Sequence, residues 1–206
     1  MFTGIIQGKY LVKSIDEQPG LKTLHVEFAK DNIEGLKLGA SVALNGTCLT
    51  VSKIDGQIIS FDVMQETLDR TNIGLVKEGD RVNVERSASM GDEIGGHLMS
   101  GHIIGMAEVV NVETPDNNQI MTFQVDPEWM KYVFDKGFIG LDGASLTIVN
   151  PNKVENTLEV HMIPETLRLT MYADRKVGDK INVELDSRTQ TIVDTVEQVL
   201  AEGDRL

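Results

Sequence analysis

The run Gly46-Thr47-Cys48-Leu49-Thr50-Val51 returns as Gly143-Ala144-Ser145-Leu146-Thr147-Ile148, an offset of 97 residues (143 − 46). The same offset carries Phe2-Thr3-Gly4-Ile5-Ile6 onto Met99-Ser100-Gly101-His102-Ile103, and Gly8 onto Gly105. Glu66-Thr67-Leu68 recurs as Glu165-Thr166-Leu167 at an offset of 99 (165 − 66), and Gly79-Asp80-Arg81-Val82-Asn83-Val84-Glu85 recurs as Gly178-Asp179-Lys180-Ile181-Asn182-Val183-Glu184. The second half therefore carries two extra residues between Thr147 and Glu165. Solenoids and propellers repeat every 20 to 50 residues or so. A period near one hundred, present twice, means a whole domain duplicated in tandem.

Each half reads as short strands punctuated by turns. Leu24, Val26 and Phe28 alternate with Thr23, His25 and Glu27, the period of a half-buried strand. Ser41–Leu44 and Thr47–Ile54 flank Asn45-Gly46, a strong hairpin signal. Asp55-Gly56 is a second turn before Ile58–Val63, Glu66–Thr71 reads as a short helix or loop, and Arg81–Glu85 closes the half as a strand. From His97 the order repeats, with helical spacing added at Pro127–Phe134 and a slightly lengthened hairpin at Pro151–Asn156. Six or so strands per half, without long helices between them, predict a small antiparallel barrel twice over. The tail differs: Ile192, Val193, Val196, Val199 and Leu200 form a helical stripe. Ser187 or Thr189 is the expected cap and Gly203 the expected end. That stripe has two outlets, its own barrel or another copy of the chain.

Charge and cysteine usage exclude several classes. The formal net charge is −13, with no basic cluster of the kind a nucleic-acid binder shows. No apolar run approaches the roughly 18 residues of a membrane-spanning helix. A single cysteine suits a reducing cytoplasm, and Met1–Lys13 lacks the pattern of a secretory signal. The expected location is cytoplasmic. His25, His97, His102 and His161 sit in no metal-ligand spacing, and neither a phosphate loop nor a nucleophile elbow is present. Chemistry is better sought where the copies differ: Cys48 against Ser145, Ile5 against His102, Phe2 against Met99, and Ser41 against Phe138. Matched pockets with unmatched polar groups are what a reaction between two similar molecules in opposite roles requires.

Taken together, Met1 to Ile5, Asn45 to Val51, Glu66-Thr67-Leu68, Val82 to Arg86, Gly95 to His102, Gly140 to Thr147, Pro164 to Leu167 and the tail from Thr189 to Leu200 resemble the riboflavin synthase family over essentially the whole chain. The resemblance implies an all-β fold of two tandem six-stranded antiparallel Greek-key barrels, 1–96 and 97–186, and a C-terminal trimerisation helix, 187–206. It implies dismutation of two 6,7-dimethyl-8-ribityllumazine molecules to riboflavin and a ribitylamino-pyrimidinedione, with no metal or redox cofactor. The implied assembly is a homotrimer whose sites lie between neighbouring subunits, and association with lumazine synthase is left open. Neither nucleic acid nor membrane is an expected partner.

By the same resemblance, Phe2, Ser41, Cys48, Thr50, His102, Ser145, Thr147 and Asp186 are the expected reaction participants. His102 is a candidate acid/base, and Cys48 or Ser145 a candidate nucleophile or proton relay. A first pocket is expected from Gly4, Ile5, Ile6, Cys48, Leu49, Thr50, Asp62, Val63, Met64, Gln65, Glu66 and Thr67. A second is expected from Gly101, His102, Ile103, Ser145, Leu146, Thr147, His161, Met162, Ile163, Pro164, Glu165 and Thr166, with Lys136 reaching a ligand of the adjoining subunit. The competing expectation is a non-catalytic lumazine or flavin carrier of the antenna type.

Overall fold

Two tight hairpin turns meet back to back at the centre of the molecule. Asn45 and Gly46 take φ +44° and +79°, and Asp142 and Gly143 take +41° and +83°, the left-handed pair that type I′ hairpins require. A Cβ on Gly46 would stand 2.6 Å from the Gly143 amide nitrogen, and one on Gly143 would stand 2.7 Å from that of Gly46. Only glycine at both positions lets the two halves come this near.

The computed structural model describes residues 1–116 and 118–203. In the first half β1 (Gly8–Gln18), β2 (Leu21–Glu27), β3 (Ser41–Leu44), β4 (Thr47–Asp55), β5 (Ile58–Met64) and β6 (Arg81–Arg86) close an antiparallel barrel in the order β1-β2-β5-β4-β3-β6. The fourth strand in the chain's β2–β5 run returns beside the first, a Greek-key connection. Helix α1 (Gln65–Arg70) follows β5. Val12, Leu24, Val26, Phe28, Val42, Leu44, Val51, Ile59, Phe61, Val82 and Val84 fill the interior.

The second half repeats this with β7 (Gly105–Glu113), β8 (Gln119–Gln124), β9 (Phe138–Leu141), β10 (Ala144–Thr147), β11 (Val149–Asn152), β12 (Thr157–Met162), α2 (Pro164–Leu169) and β13 (Lys180–Leu185). It has seven strands where six are expected. They form a curled sheet ordered β10-β9-β13-β7-β8-β12-β11, whose two end strands are consecutive pieces of the β4 counterpart. Within β11, Asn150 takes φ +47° and Pro151 has no N–H for a ladder, and β11 pairs with β12 only at Val149 and Asn152. Ile148, between the pieces, keeps the bonds of its counterpart. Its N–H donates to Gly137 O and its carbonyl accepts from Lys136 N, as Val51 does with Ala40 and Gly39. The two extra residues lie in the β11–β12 hairpin, and Pro127–Tyr132 is a 3-10 rather than an α-helix.

Between the barrels the polar groups bond in matched pairs. Asn83 Nδ2 donates to Asp142 O (3.0 Å) while Asn182 Nδ2 donates to Asn45 O (2.8 Å). Within each barrel the match continues: Asn83 N–H donates to Asn45 Oδ1 (2.8 Å), and Asn182 N–H to Asp142 Oδ1 (2.9 Å). These follow the repeat offsets, so the halves are related by a pseudo-two-fold axis. Symmetry breaks at Asp142, whose other oxygen receives Arg175 Nη2 at 2.6 Å. The first half has Asn45 and Val76 at the corresponding positions.

Helix α3 (Ser187–Gly203) leaves the second barrel at Asp186. Asp186 is its cap, in place of the expected Ser187 or Thr189: its Oδ2 accepts from Thr189 N–H (3.1 Å) and hydroxyl (2.7 Å). A capping side chain must precede the first helical residue to reach the free N–H groups of the first turn, and that residue is Ser187. The helix touches its barrel through Lys131 and Tyr132, which bond Asp194 and Glu197. Ile192, Val196, Val199 and Leu200 remain exposed. The stripe is therefore not buried on its own barrel. Residues 204–206 of the expected tail lie outside the described residues.

Candidate functional site

The segment before each barrel crosses to the other one. Phe2 and Met99, equivalent by the repeat, bridge antiparallel on the pseudo-axis, with Phe2 N–H to Met99 O at 2.8 Å and Met99 N–H to Phe2 O at 3.0 Å. Beyond that bridge Gly4 O accepts from Ser145 N–H, and Gly101 O accepts from Cys48 N–H, both at 2.9 Å. Ile6 is buried in the core of the second barrel.

This corrects the expected grouping. A cavity of about 220 Å³ is lined by Thr47, Cys48, Glu66, Thr67, Arg70 and Thr71 of the first half together with Gly101, His102 and Ile103 of the second. Gly4 belongs instead with Ser145, where a Cβ on it would stand 2.5 Å from Ser145 Cβ; on Gly101 it would stand 2.5 Å from Cys48 Cβ. Arg70 is a member that sequence comparison did not flag, because its counterpart in the second half is Leu169.

The side chains sort by strand alternation. Cys48 is half-buried and Thr50 exposed, while Leu49 between them points into the first core. Val63 likewise belongs to the first core and Met162 to the second, which leaves only their backbone for a ligand. Phe2 is buried against Ala43 and Met99. Ser41 stands opposite Thr50 across β3–β4, and Thr147 opposite Phe138 across β9–β10. Leu146 is half-buried against the second core. Ile5, Met64, Gln65, Lys136, His161, Ile163 and Pro164 are exposed, and Thr166 is half-buried. Asp62 accepts from the Thr23 hydroxyl (2.7 Å), and Glu165 pairs with Arg168 (2.6 Å).

Around Ser145 the site contains a partner the motif comparison passed over. His97 Nδ1 lies 2.6 Å from Ser145 Oγ, and the imidazole stacks on Phe138 with centroids 5.1 Å apart. Gly96 packs so tightly over Ser145 that a Cβ there would lie 2.6 Å from Ser145 Cβ. His97 escaped comparison because its counterpart would precede Met1; the Gly95-Gly96-His97 run was its only signal. Burial holds the imidazole below its ordinary pKa, with the Asp186 carboxylate acting against that. Burial pushes Asp186 itself upward, but the bonds from Thr189 and Arg188 outweigh it and leave the carboxyl below its usual range. A neutral imidazole against a hydroxyl, with a carboxylate nearby, is arranged to take a proton.

The His97 shift has a thermodynamic consequence. A base whose folded pKa is depressed adds stability that is present above its unfolded value, near 6.5. That stability is lost as pH falls through the folded value. Unfolding free energies from urea melts between pH 7.5 and 5 should fall more steeply for the wild type than for His97→Gln, by up to about 1.4 kcal/mol per pH unit. Parallel profiles would mean that His97 does not hold this shift.

Fold and site together define a duplicated barrel protein with a cavity where its two halves meet. The lumazine binding domain model matches residues 3–87 and again 100–186. Riboflavin synthase of Escherichia coli (strain K12) is 53% identical over 204 residues, covering 98% of this chain and 94% of that protein. Riboflavin synthase of Buchnera aphidicola subsp. Schizaphis graminum is 44% identical over 201 residues, 97% of this chain and 96% of the relative. That of Bacillus subtilis (strain 168) is 35% identical over 186 residues, 90% and 85%. The chain belongs to the riboflavin synthase family, a family of enzymes. Among solved structures, LumP complexed with riboflavin superimposes with a TM-score of 0.84 at 24% identity, covering 91% of this chain and 100% of that one. LumP complexed with 6,7-dimethyl-8-(1'-D-ribityl) lumazine gives 0.82 at the same identity. That likeness is one of fold.

Proposed function

We propose that this chain is a riboflavin synthase. It takes two molecules of 6,7-dimethyl-8-ribityllumazine, transfers a four-carbon unit from one to the other, and releases riboflavin and 5-amino-6-ribitylamino-pyrimidinedione, the final step of riboflavin biosynthesis. The observation that carries the reading is that equivalent positions of the two halves are chemically unequal: Cys48 lines a cavity with His102, while Ser145 is bonded to His97. One lumazine loses a proton from its acidic C7 methyl while the other accepts a nucleophile at C7. His102 serves as acid/base, Cys48 or Ser145 as nucleophile or relay, and Ser145 relays through His97. Holding two rings face to face makes the bimolecular step effectively unimolecular, worth up to about 7–11 kcal/mol.

The division proposed is 1–96, 97–186 and 187–206, with the last segment joining three copies of the chain in the cytoplasm. The exposed apolar stripe of α3 supports a homotrimer. So does the size of the Cys48 cavity, about 220 Å³, against roughly 300–1,000 Å³ for ordinary small-molecule sites; a neighbouring subunit, with Lys136, completes it. The test mixes purified protein with the lumazine alone and follows riboflavin absorbance. Riboflavin at half the lumazine consumed supports the reading. Stable binding with persistent lumazine fluorescence would replace it with a carrier.

A further inference from the structure

Two buried glutamates have no part in the chemistry above. Glu85 on β6 is 3% exposed and Glu184 on β13 is 5% exposed. Every bond either carboxylate makes is to a donor. Glu85 Oε1 accepts from Thr3 N–H (2.7 Å) and hydroxyl (2.8 Å), and Oε2 accepts from Gly4 N–H (3.1 Å). Glu184 repeats the pattern with Ser100 N–H (2.6 Å), Ser100 hydroxyl (2.9 Å) and Gly101 N–H (3.0 Å). Each glycine so held turns its own carbonyl to the opposite barrel, Gly4 to Ser145 and Gly101 to Cys48. The hydroxyls extend the chain one residue further: Thr3 Oγ1 accepts from Ile5 N–H (3.3 Å) and Ser100 Oγ accepts from His102 N–H (3.1 Å). A glutamate on one barrel thus sets the wall of the pocket in the other.

We propose that Glu85 and Glu184 are positioning residues acting across the barrel boundary, Glu184 on the Cys48–His102 pocket and Glu85 on the Ser145–His97 pair. The inference rests on the functional reading above for its effect on turnover, but the coupling itself is a property of the fold. Burying a carboxylate is costly unless its acceptors are filled, and here two consecutive amides and a hydroxyl fill them. Glutamine has nearly the same shape, yet its amide nitrogen must oppose one of those donors. A Glu→Gln change therefore frees the segment without opening a cavity.

Cys48, the one thiol of the chain, reports on the first pocket directly. Its rate of reaction with an aromatic disulfide reagent is measured in the unliganded full-length protein. Glu184→Gln is expected to speed labelling by at least about fivefold through local opening, and Glu85→Gln to leave it within about twofold of wild type. Ser100→Ala keeps the glutamate and should reproduce the Glu184→Gln effect in part, whereas Ser100→Thr, the first half's own choice, should label at the wild-type rate. Turnover of Glu184→Gln should fall at least about tenfold with KM changed less than about threefold, because a misplaced wall is felt in the transition state. Equal acceleration in both glutamine variants, or none in either, overturns the proposal. Expected labelling alongside no riboflavin formation in the wild type would leave the coupling standing and remove the enzymatic reading instead.

Discussion

Arg175→Val should destabilise the folded chain by about 3–5 kcal/mol, the usual cost of leaving a buried charge without its partner. Asp142 is fully buried, and its Oδ2 has the Arg175 guanidinium at 2.6 Å. Burial raises the Asp142 carboxyl above the ordinary aspartate range, and Arg175 and the Asn182 N–H pull it back. Removing the cation leaves burial unopposed on one oxygen. The other oxygen still accepts from Asn72 Nδ2 (2.7 Å) and Asn182 N–H (2.9 Å).

The repeat supplies the control. The first half has Asn45 and Val76 where the second has Asp142 and Arg175, and Asn45 Oδ1 accepts from Asn83 N–H just as Asp142 Oδ1 accepts from Asn182 N–H. The double variant Asp142→Asn/Arg175→Val gives the second half the first half's pair. It should recover most of the loss, with a coupling energy at the upper end of the usual range, about 3 kcal/mol, in a double-mutant cycle. Urea midpoints at constant m-value read both effects. A single-variant loss below about 1 kcal/mol would mean that water replaces the guanidinium, as it does at exposed pairs.

Ser145→Ala should lower riboflavin formation by about 10²–10⁴-fold, the range lost with a positioned proton-transfer partner. His97→Gln should lower it comparably, and the two together should be no worse than the more severe single change, because groups acting as one unit are not additive. The 2.6 Å contact between them is what makes them one unit. Cys48→Ala, in the other pocket, should show a different size of loss and should combine with Ser145→Ala more nearly multiplicatively. Riboflavin affinity, read by fluorescence quenching, separates lost turnover from lost binding. If Ser145 and His97 losses multiply while Cys48 joins neither, the relay between Ser145 and His97 is not used.

Much of this molecule is legible in one dimension. The duplication, the antiparallel strands, the Asn45-Gly46 turn and the short helix after β5 all follow from repeats, alternation and turn chemistry, because each depends on residues only a few positions apart. The seventh strand of the second half was not legible: the β4 counterpart is interrupted at Ile148, an apolar residue that keeps the backbone bonds of Val51. His97 lay outside any comparison of copies. The polar seam was visible only as an asparagine inside an apolar strand, in Val82-Asn83-Val84 and again in Ile181-Asn182-Val183.

By itself the sequence determined the unit, its number of copies and its family, since these are properties of local pattern and order. Which copy's leading segment closes which pocket was decided only by the tertiary structure. A repeat offset says that Gly4 and Gly101 are equivalent, and it reads the same whether each stays on its own barrel or crosses to the other. The choice rests on non-local contacts: the Phe2–Met99 bridge on the axis, the Gly46–Gly143 approach beside it, and the carboxylates of Glu85 and Glu184. Those contacts join residues some eighty to one hundred positions apart, so no local pattern encodes them, and through them Cys48 meets His102 rather than Ile5.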